Sequence, residues 1–259
     1  LLYLSSICNG RVHRMLRAMQ CKQFFTLYKK ELRSLLTSPV TYVCHVLLHL
    51  GLTIPFIGVN FWLNAGISEL QSFFLNAPLL FCIIIPLLTM HVWSHERKSG
   101  TDTLLFSFPI AERTIVLTKY LSLLSVYGGM IVVSTAIPLS IFSLGYFDYA
   151  PCALAYVTLV LFGAALLSLS CAVASYVSYA AVGFVLNFTL AVMALLVHIP
   201  ARVFISHRYI RACVSWVSFV YHFESAARGI FDLSDFAFYI FVAIAGIELQ
   251  CLIVRVRFR

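Results

Sequence analysis

Apolar windows of roughly 18–25 residues, the length a helix needs to cross a bilayer, recur at residues 39–62, 76–93, 115–142, 152–177, 179–199 and 236–254. They predict an all-α integral membrane protein with six transmembrane helices. Ahead of the first window the pattern changes. In KQFFTLYKKELRSLL, Phe24, Phe25, Tyr28, Leu32, Leu35 and Leu36 recur at helical spacing, while Lys22, Lys29, Lys30 and Arg33 fall largely elsewhere. That pattern predicts an amphipathic helix over 22–38, lying on the membrane with its basic residues towards anionic headgroups. Ser38 is placed to cap, and Pro39 suits the first position of the next helix. Prolines 55, 86 and 138 lie inside windows, where they are expected to kink the helix. The fourth and fifth windows meet at a tight turn, SYVSYA. Residues 200–235 hold only a short apolar run between Arg211 and His222, so they are expected to lie at the outer interface, with Tyr209, Trp216 and Tyr221 in the aromatic belt.

Composition strengthens the membrane reading. Of 259 residues, 61% are hydrophobic and only 11% charged, too greasy for a water-facing domain. An excess of 18 Lys+Arg over 10 Asp+Glu would suggest nucleic acid in a soluble protein. Here the excess follows the inside-positive bias of membrane loops, and no nucleic-acid partner is expected. With the N-terminus inside, fourteen basic residues fall on the inner side and four (Arg202, Arg208, Arg211 and Arg228) on the outer. Both termini are therefore expected in the cytoplasm, and residues 255–259 form a cytoplasmic tail. Residues 1–21 read as an extension that need not be native, Met19 being a candidate start; LLYLSSICNG lacks the basic start of a cleavable signal.

The eight cysteines share no metal-ligand spacing, and most fall in apolar runs as packing residues. Cys152 and Cys213 could pair if the outer side is oxidising. His45 and His49 stand four apart in the first window and His91 ends the second, but no acid or cysteine at fitting spacing accompanies them. Neutral histidines bonding between helices or lining a wet cavity suit the pattern better than a metal site. Asn187 is expected to bond a neighbouring helix, and Glu248 to pair or snorkel.

The most polar stretch is HERKSGTD, residues 95–102, where five of eight residues can carry charge. After Gly100, TDTLLFSF can make two helical turns, with Thr101 as cap, Asp102 at the positive end of the dipole and Pro109 as stop. Within this loop, 94–114, the helix would present Leu104 and Leu105 beside Glu96, Arg97 and Lys98. An apolar face in water calls for a partner.

Three stretches together, KKELRSLLTSPVTYV, IIIPLLTMHVWSHERKSGTDTLLFSFPIAERTIVLTKY and YHFESAARGIFDLSDFAFY, resemble the permease subunit of type-2 ABC transporters, closest to its gliding-motility branch. The resemblance runs from about Lys22 to Arg259. Glu96, Arg97, Gly100, Thr101, Leu104, Leu105 and Pro109 match the family's coupling-helix pattern, with the acid at Asp102 one place early. His222, Phe223, Glu224, Ala227, Arg228, Gly229, Asp232 and Leu233 match its outer motif. The turn SYVSYAAV lacks the family's usual charge.

This resemblance implies a six-helix permease domain over 39–254 in the cytoplasmic (inner) membrane, probing no chemistry of its own. It implies an exporter driven by a separate ATPase subunit that binds ATP and Mg, a second permease as homo- or heterodimer, and membrane lipids as partners. No G-x-x-x-x-G-K-[ST] motif occurs in the chain, so this chain is expected to bind no cofactor and to catalyse nothing itself. Two other classes stay open: a structural anchor of a motility or envelope complex, and an intramembrane enzyme or receptor. The latter would call for paired acids, HExxH or GxSG inside spans.

Overall fold

A computed structural model of the chain describes residues 22–55, 71–107, 110–142, 149–197 and 218–257. Every regular element among them is helical. Helix α1 (Lys22–Thr37) meets α2 (Pro39–Ile54) at a 66° bend. There follow α3 (Gln71–Thr89), α4 (His91–Ser99), α5 (Thr101–Ser107), α6 (Glu112–Ser134), α7 (Ala136–Phe142), α8 (Tyr149–Tyr176), α9 (Ala180–Leu196), α10 (Phe219–Ala227) and α11 (Leu233–Arg257).

Among the described residues four stretches are long and apolar enough to cross a membrane: Phe73–Lys98, Glu112–Ser140, Tyr149–Tyr176 and Leu233–Arg257. The bent pair α1–α2 makes a fifth if it counts as one span. The windows expected at 39–62 and 179–199 hold helices of 16 and 17 residues, about 24–26 Å at the usual helical rise; residues 56–62 lie outside the described part. The chain is thus a multi-pass membrane protein, helical throughout the regular elements of the described residues.

Two prolines act as the sequence suggests and one does not. Pro86 sits inside α3, four residues before the turn at Met90 that separates α3 from α4. Pro138 has no N–H to give the carbonyl of Ser134, and the helix breaks at Thr135 between α6 and α7. The carbonyl it frees is taken by the hydroxyl of Tyr156 at 3.2 Å. Pro55, by contrast, is the C-cap of α2 and ends that helix rather than kinking it. The expected cap at Ser38 also differs, because its side chain makes no capping bond. The joint is held instead by Thr41, whose hydroxyl reaches back to the Leu35 carbonyl at 2.7 Å.

Helix α8 is the axis of the bundle, packed by α3, α6, α9, α10 and α11. Its buried residues run all round it, including Leu159, Phe162, Leu166 and Cys171. Small residues let neighbours approach, as interfaces between membrane helices require. A Cβ on Gly163 would lie 2.1 Å from the Tyr127 ring, and one on Gly246 of α11 would lie 2.4 Å from Ser168 Oγ. Tyr127, fully buried, donates its hydroxyl to the Leu159 carbonyl at 2.7 Å.

The contrast with Gly128 and Gly129, which face open space, can be measured. Gly163→Ala should cost about 1–3 kcal/mol by overpacking, because the fully buried Tyr127 ring has nowhere to go. Gly128→Ala should instead gain up to about 1 kcal/mol of helix propensity. Thermal unfolding of the detergent-purified protein reads both signs, and equal shifts for the two variants would refute this packing.

Candidate functional site

At one end of the bundle lie α1, the α4–α5 elbow, the start of α6, and the last turns of α8 and α11, and this end carries most of the described charge. HERKS is not a loop. His95 to Ser99 complete α4, because the helix closes onto Gly100, whose φ of 67° lies in the left-handed region that glycine takes at least cost. The Gly100 N–H bonds back to the Arg97 and Glu96 carbonyls. Thr101 is correspondingly the first residue of α5 and not its cap; its hydroxyl donates to the Glu96 carbonyl at 3.3 Å and closes the end of α4. Thr103 holds the elbow from the other side, bonding the Gly100 carbonyl at 2.8 Å, with its own N–H on Asp102 Oδ1 at 2.9 Å.

This geometry turns Glu96 and Arg97 inward. The centre of the site is Lys119 of α6, whose side chain is 1% exposed. Its ammonium lies 2.8 Å from Glu96 Oε2 and 3.4 Å from Glu31 Oε2 of α1, and donates to the Val92 carbonyl at 3.1 Å. The Trp93 ring centre is 4.9 Å from the same nitrogen, within cation–π range. Lys30 joins from α1, 3.4 Å from both Glu31 and Glu96. Burial acts to lower the Lys30 ammonium's pKa, but the Glu31 and Glu96 carboxylates outweigh it and hold it above the ordinary lysine value.

Arg97 reaches the other way and donates to the backbone carbonyls of Ser175 and Val177 at the end of α8. From α11, Arg257 adds bonds to the Tyr176 carbonyl at 2.8 Å and to Ser178 Oγ at 3.1 Å. Helix α8 has no basic residue in its own last turn, so two other helices supply the cations that its terminal carbonyls favour. Arg113 grips both oxygens of Glu248 at 3.0 and 2.8 Å, and Arg255 meets Glu112 at 3.3 Å, pinning α6 to α11.

The two leucines of α5 part company. Leu104 is 63% exposed. Leu105 packs onto a small cluster of Trp93, Ile115, Val116, Ala174, Cys251 and Val254. Tyr176, Tyr179 and Val256 are exposed at the same end. The apolar face read on α1 also divides: Leu32 and Leu35 pack on the bundle, whereas Phe25 and Leu36 are exposed with Lys22, Lys29, Lys30 and Arg33. Pro109 lies outside the described residues.

The far end holds the second motif. His222 of α10 is buried, its Nδ1 2.6 Å from Asp235 Oδ1 of α11 and its ring stacked on Phe238 at 4.3 Å. Phe223 is buried against Phe162. Glu224 pairs with Arg228 at 3.5 Å. Gly229, at φ 77°, ends α10, and its N–H bonds the Ala226 carbonyl. Asp232 caps α11, where the Ser234 N–H donated to its carboxylate holds it below the usual range. Tyr209, Cys213 and Trp216 lie outside the described residues, so the Cys152–Cys213 pairing does too. Inside the bundle Asn187 donates to Thr89 at 3.2 Å. The His45 and His49 rings stack at 4.3 Å, with His49 Nδ1 on the His45 carbonyl.

The sequence reading missed Lys119, Glu31, Arg257 and Asp235. Each did leave a trace. Lys119 stands seven residues into an apolar helix, where a charge is costly unless paired, and Asp235 is an acid in the first turn of the last apolar span. No protein-family model matches the chain, and a search of curated proteins gives no match.

Removing one partner of a buried ion pair leaves the other charge unpaired. Lys119→Met should therefore cost about 3–5 kcal/mol, and Lys119→Met/Glu96→Met should recover part of that. A single-variant loss below about 1 kcal/mol in thermal unfolding, typical of a surface pair, would show that the cluster is not a structural hub.

Proposed function

We propose that this chain is the membrane permease subunit of a type-2 ABC transporter, an exporter driven by a separate ATPase. In this reading six spans, α2 and α9 included, place the charged end in the cytoplasm and the His222–Asp235 end outside. Two such chains, or this one and a homologue, enclose the pathway. The observation that carries the reading is the α4–Gly100–α5 elbow, an apolar handle at Leu104 joined through Glu96 and Arg97 to α1, α6 and α8. A force applied at Leu104 would pass through bonded contacts into the bundle and not into a slack loop. ATP binding by the partner would shift the spans between inward- and outward-open packings.

Topology gives the first test. In a cysteine-free background, Ser99→Cys should resist an impermeant thiol reagent applied outside, and Phe231→Cys should react. Reaction at Ser99 from outside would overturn the orientation.

Docking gives the second. Seating Leu104 in a groove of the ATPase should contribute about 1.5–3 kcal/mol. Leu104→Asp should leave insertion and thermal stability unchanged while releasing the ATPase on purification and abolishing stimulated ATP turnover. Leu105→Asp should unfold the end as well, since Leu105 packs inside. A Leu104→Asp protein that keeps its ATPase and full turnover would count against the coupling role.

A further inference from the structure

Behind the elbow the structure opens a groove of about 740 Å³, walled by α1, the first turn of α2, α4 and Ser122 of α6. Its polar lining includes Lys30, Ser34, Ser38, His91 and His95. Apart from Lys30, the side chains of these five make no hydrogen bond among the described residues, and both imidazoles are exposed. Glu31 and Glu96 form its acidic wall. Lys30 is the ammonium that lines the groove, and Lys119, 1% exposed, pairs with Glu31 and Glu96 from behind their wall, so the two carboxylates are matched in charge while the groove offers both donors and acceptors.

The groove is continuous with an apolar track. Val40 lines its edge, and from there Val43, Leu47, Leu50 and Ile54 continue up one face of α2 at helical spacing, all exposed. The 66° bend between α1 and α2 sits at the junction of the two. For a helix lying on a membrane beside one entering it, that junction is the level of the lipid headgroups.

We propose that this groove binds one phospholipid with a zwitterionic, hydrogen-bond-donating headgroup, of the ethanolamine class. Its phosphate lies among Lys30, Ser38 and the two imidazoles, its amine towards Glu31, and an acyl chain along the Val43–Ile54 face. A balanced groove has no surplus cation to favour a net-anionic headgroup, and a quaternary amine cannot donate to the carboxylate. A free phosphate would leave the apolar track empty. The inference needs only membrane insertion and stands whether or not an ATPase partner exists.

The test uses the delipidated full chain, with dioctanoyl phosphatidylethanolamine, phosphatidylcholine, phosphatidylglycerol and inorganic phosphate as probes and native mass spectrometry as readout. One ethanolamine lipid should bind about tenfold more tightly than either other lipid, and millimolar phosphate should not displace it. Two variants probe the groove independently: Ser34→Leu fills it, and His91→Ala/His95→Ala removes donors without touching the Lys119 cluster. Each should erase the preference while thermal unfolding without lipid stays unchanged. Equal binding of the three lipids, displacement by phosphate, or a preference that survives in both variants would overturn the proposal.

Discussion

One buried amine organises the charged end of this molecule. Lys119 can sit at 1% exposure only because Glu96 and Glu31 approach it from two other helices while Trp93 covers it with a ring face. The desolvation cost of such a cation is several kcal/mol and is offset only when its partners are held in place. The requirement works in both directions. Helix α1 docks where Glu31 can reach, and α4 must continue as helix through Glu96 before Gly100 turns the chain. The position of the elbow follows from the burial of a lysine on the next helix.

The second constraint is the end of α8. A helix of 28 residues brings an uncompensated negative pole and unbonded carbonyls to the surface of the bundle. Arg97 and Arg257 come from elements before and after it in sequence and converge on Ser175, Tyr176 and Val177. The elbow and the end of α11 are therefore tied to the same short stretch, Arg97 to Ser175 and Val177 and Arg257 to Tyr176 and Ser178. The groove beside α1 lies just outside this knot, which leaves its two imidazoles and the Ser34 and Ser38 hydroxyls without side-chain bonds among the described residues.

Much of the architecture was legible in the apolar windows, because helix length in a bilayer is set by thickness and needs no tertiary information. The windows at 115–142 and 152–177 agree with Glu112–Ser140 and Tyr149–Tyr176 within a few residues. The helix over 22–37 and the pairing of Glu248 were also readable, one from its periodicity and the other from the cost of a charge near the end of a span. What was not legible is long-range by nature. HERKSGTD reads as part of a charged loop that needs an outside partner, because local composition cannot reveal a lysine that stands close in space though distant along the chain. Thr101 looks like a cap until Gly100 takes that position and frees the hydroxyl to close the preceding helix. Leu104 and Leu105 look equivalent until the elbow fixes which of them faces inward. His222 was singled out, but its partner Asp235 stands thirteen residues on, just before the window at 236–254, and nothing local ties the two.

The contact of Gly246 with Ser168 has a mechanical meaning. Helices α8 and α11 run in the same direction, with Ser168 lodged in the notch left by a missing side chain, and with Arg257 bonded to Tyr176 some two to three turns further on. Sliding one past the other by a single helical turn, about 5.4 Å, would lift the serine out of its notch and break the arginine clasp together. The pair is thus a two-rail beam whose register is locked at two points. Whatever motion the bundle undergoes must carry this beam as a unit, and the sliding surfaces are left to the shorter helices α2 and α9 where they lean against α3.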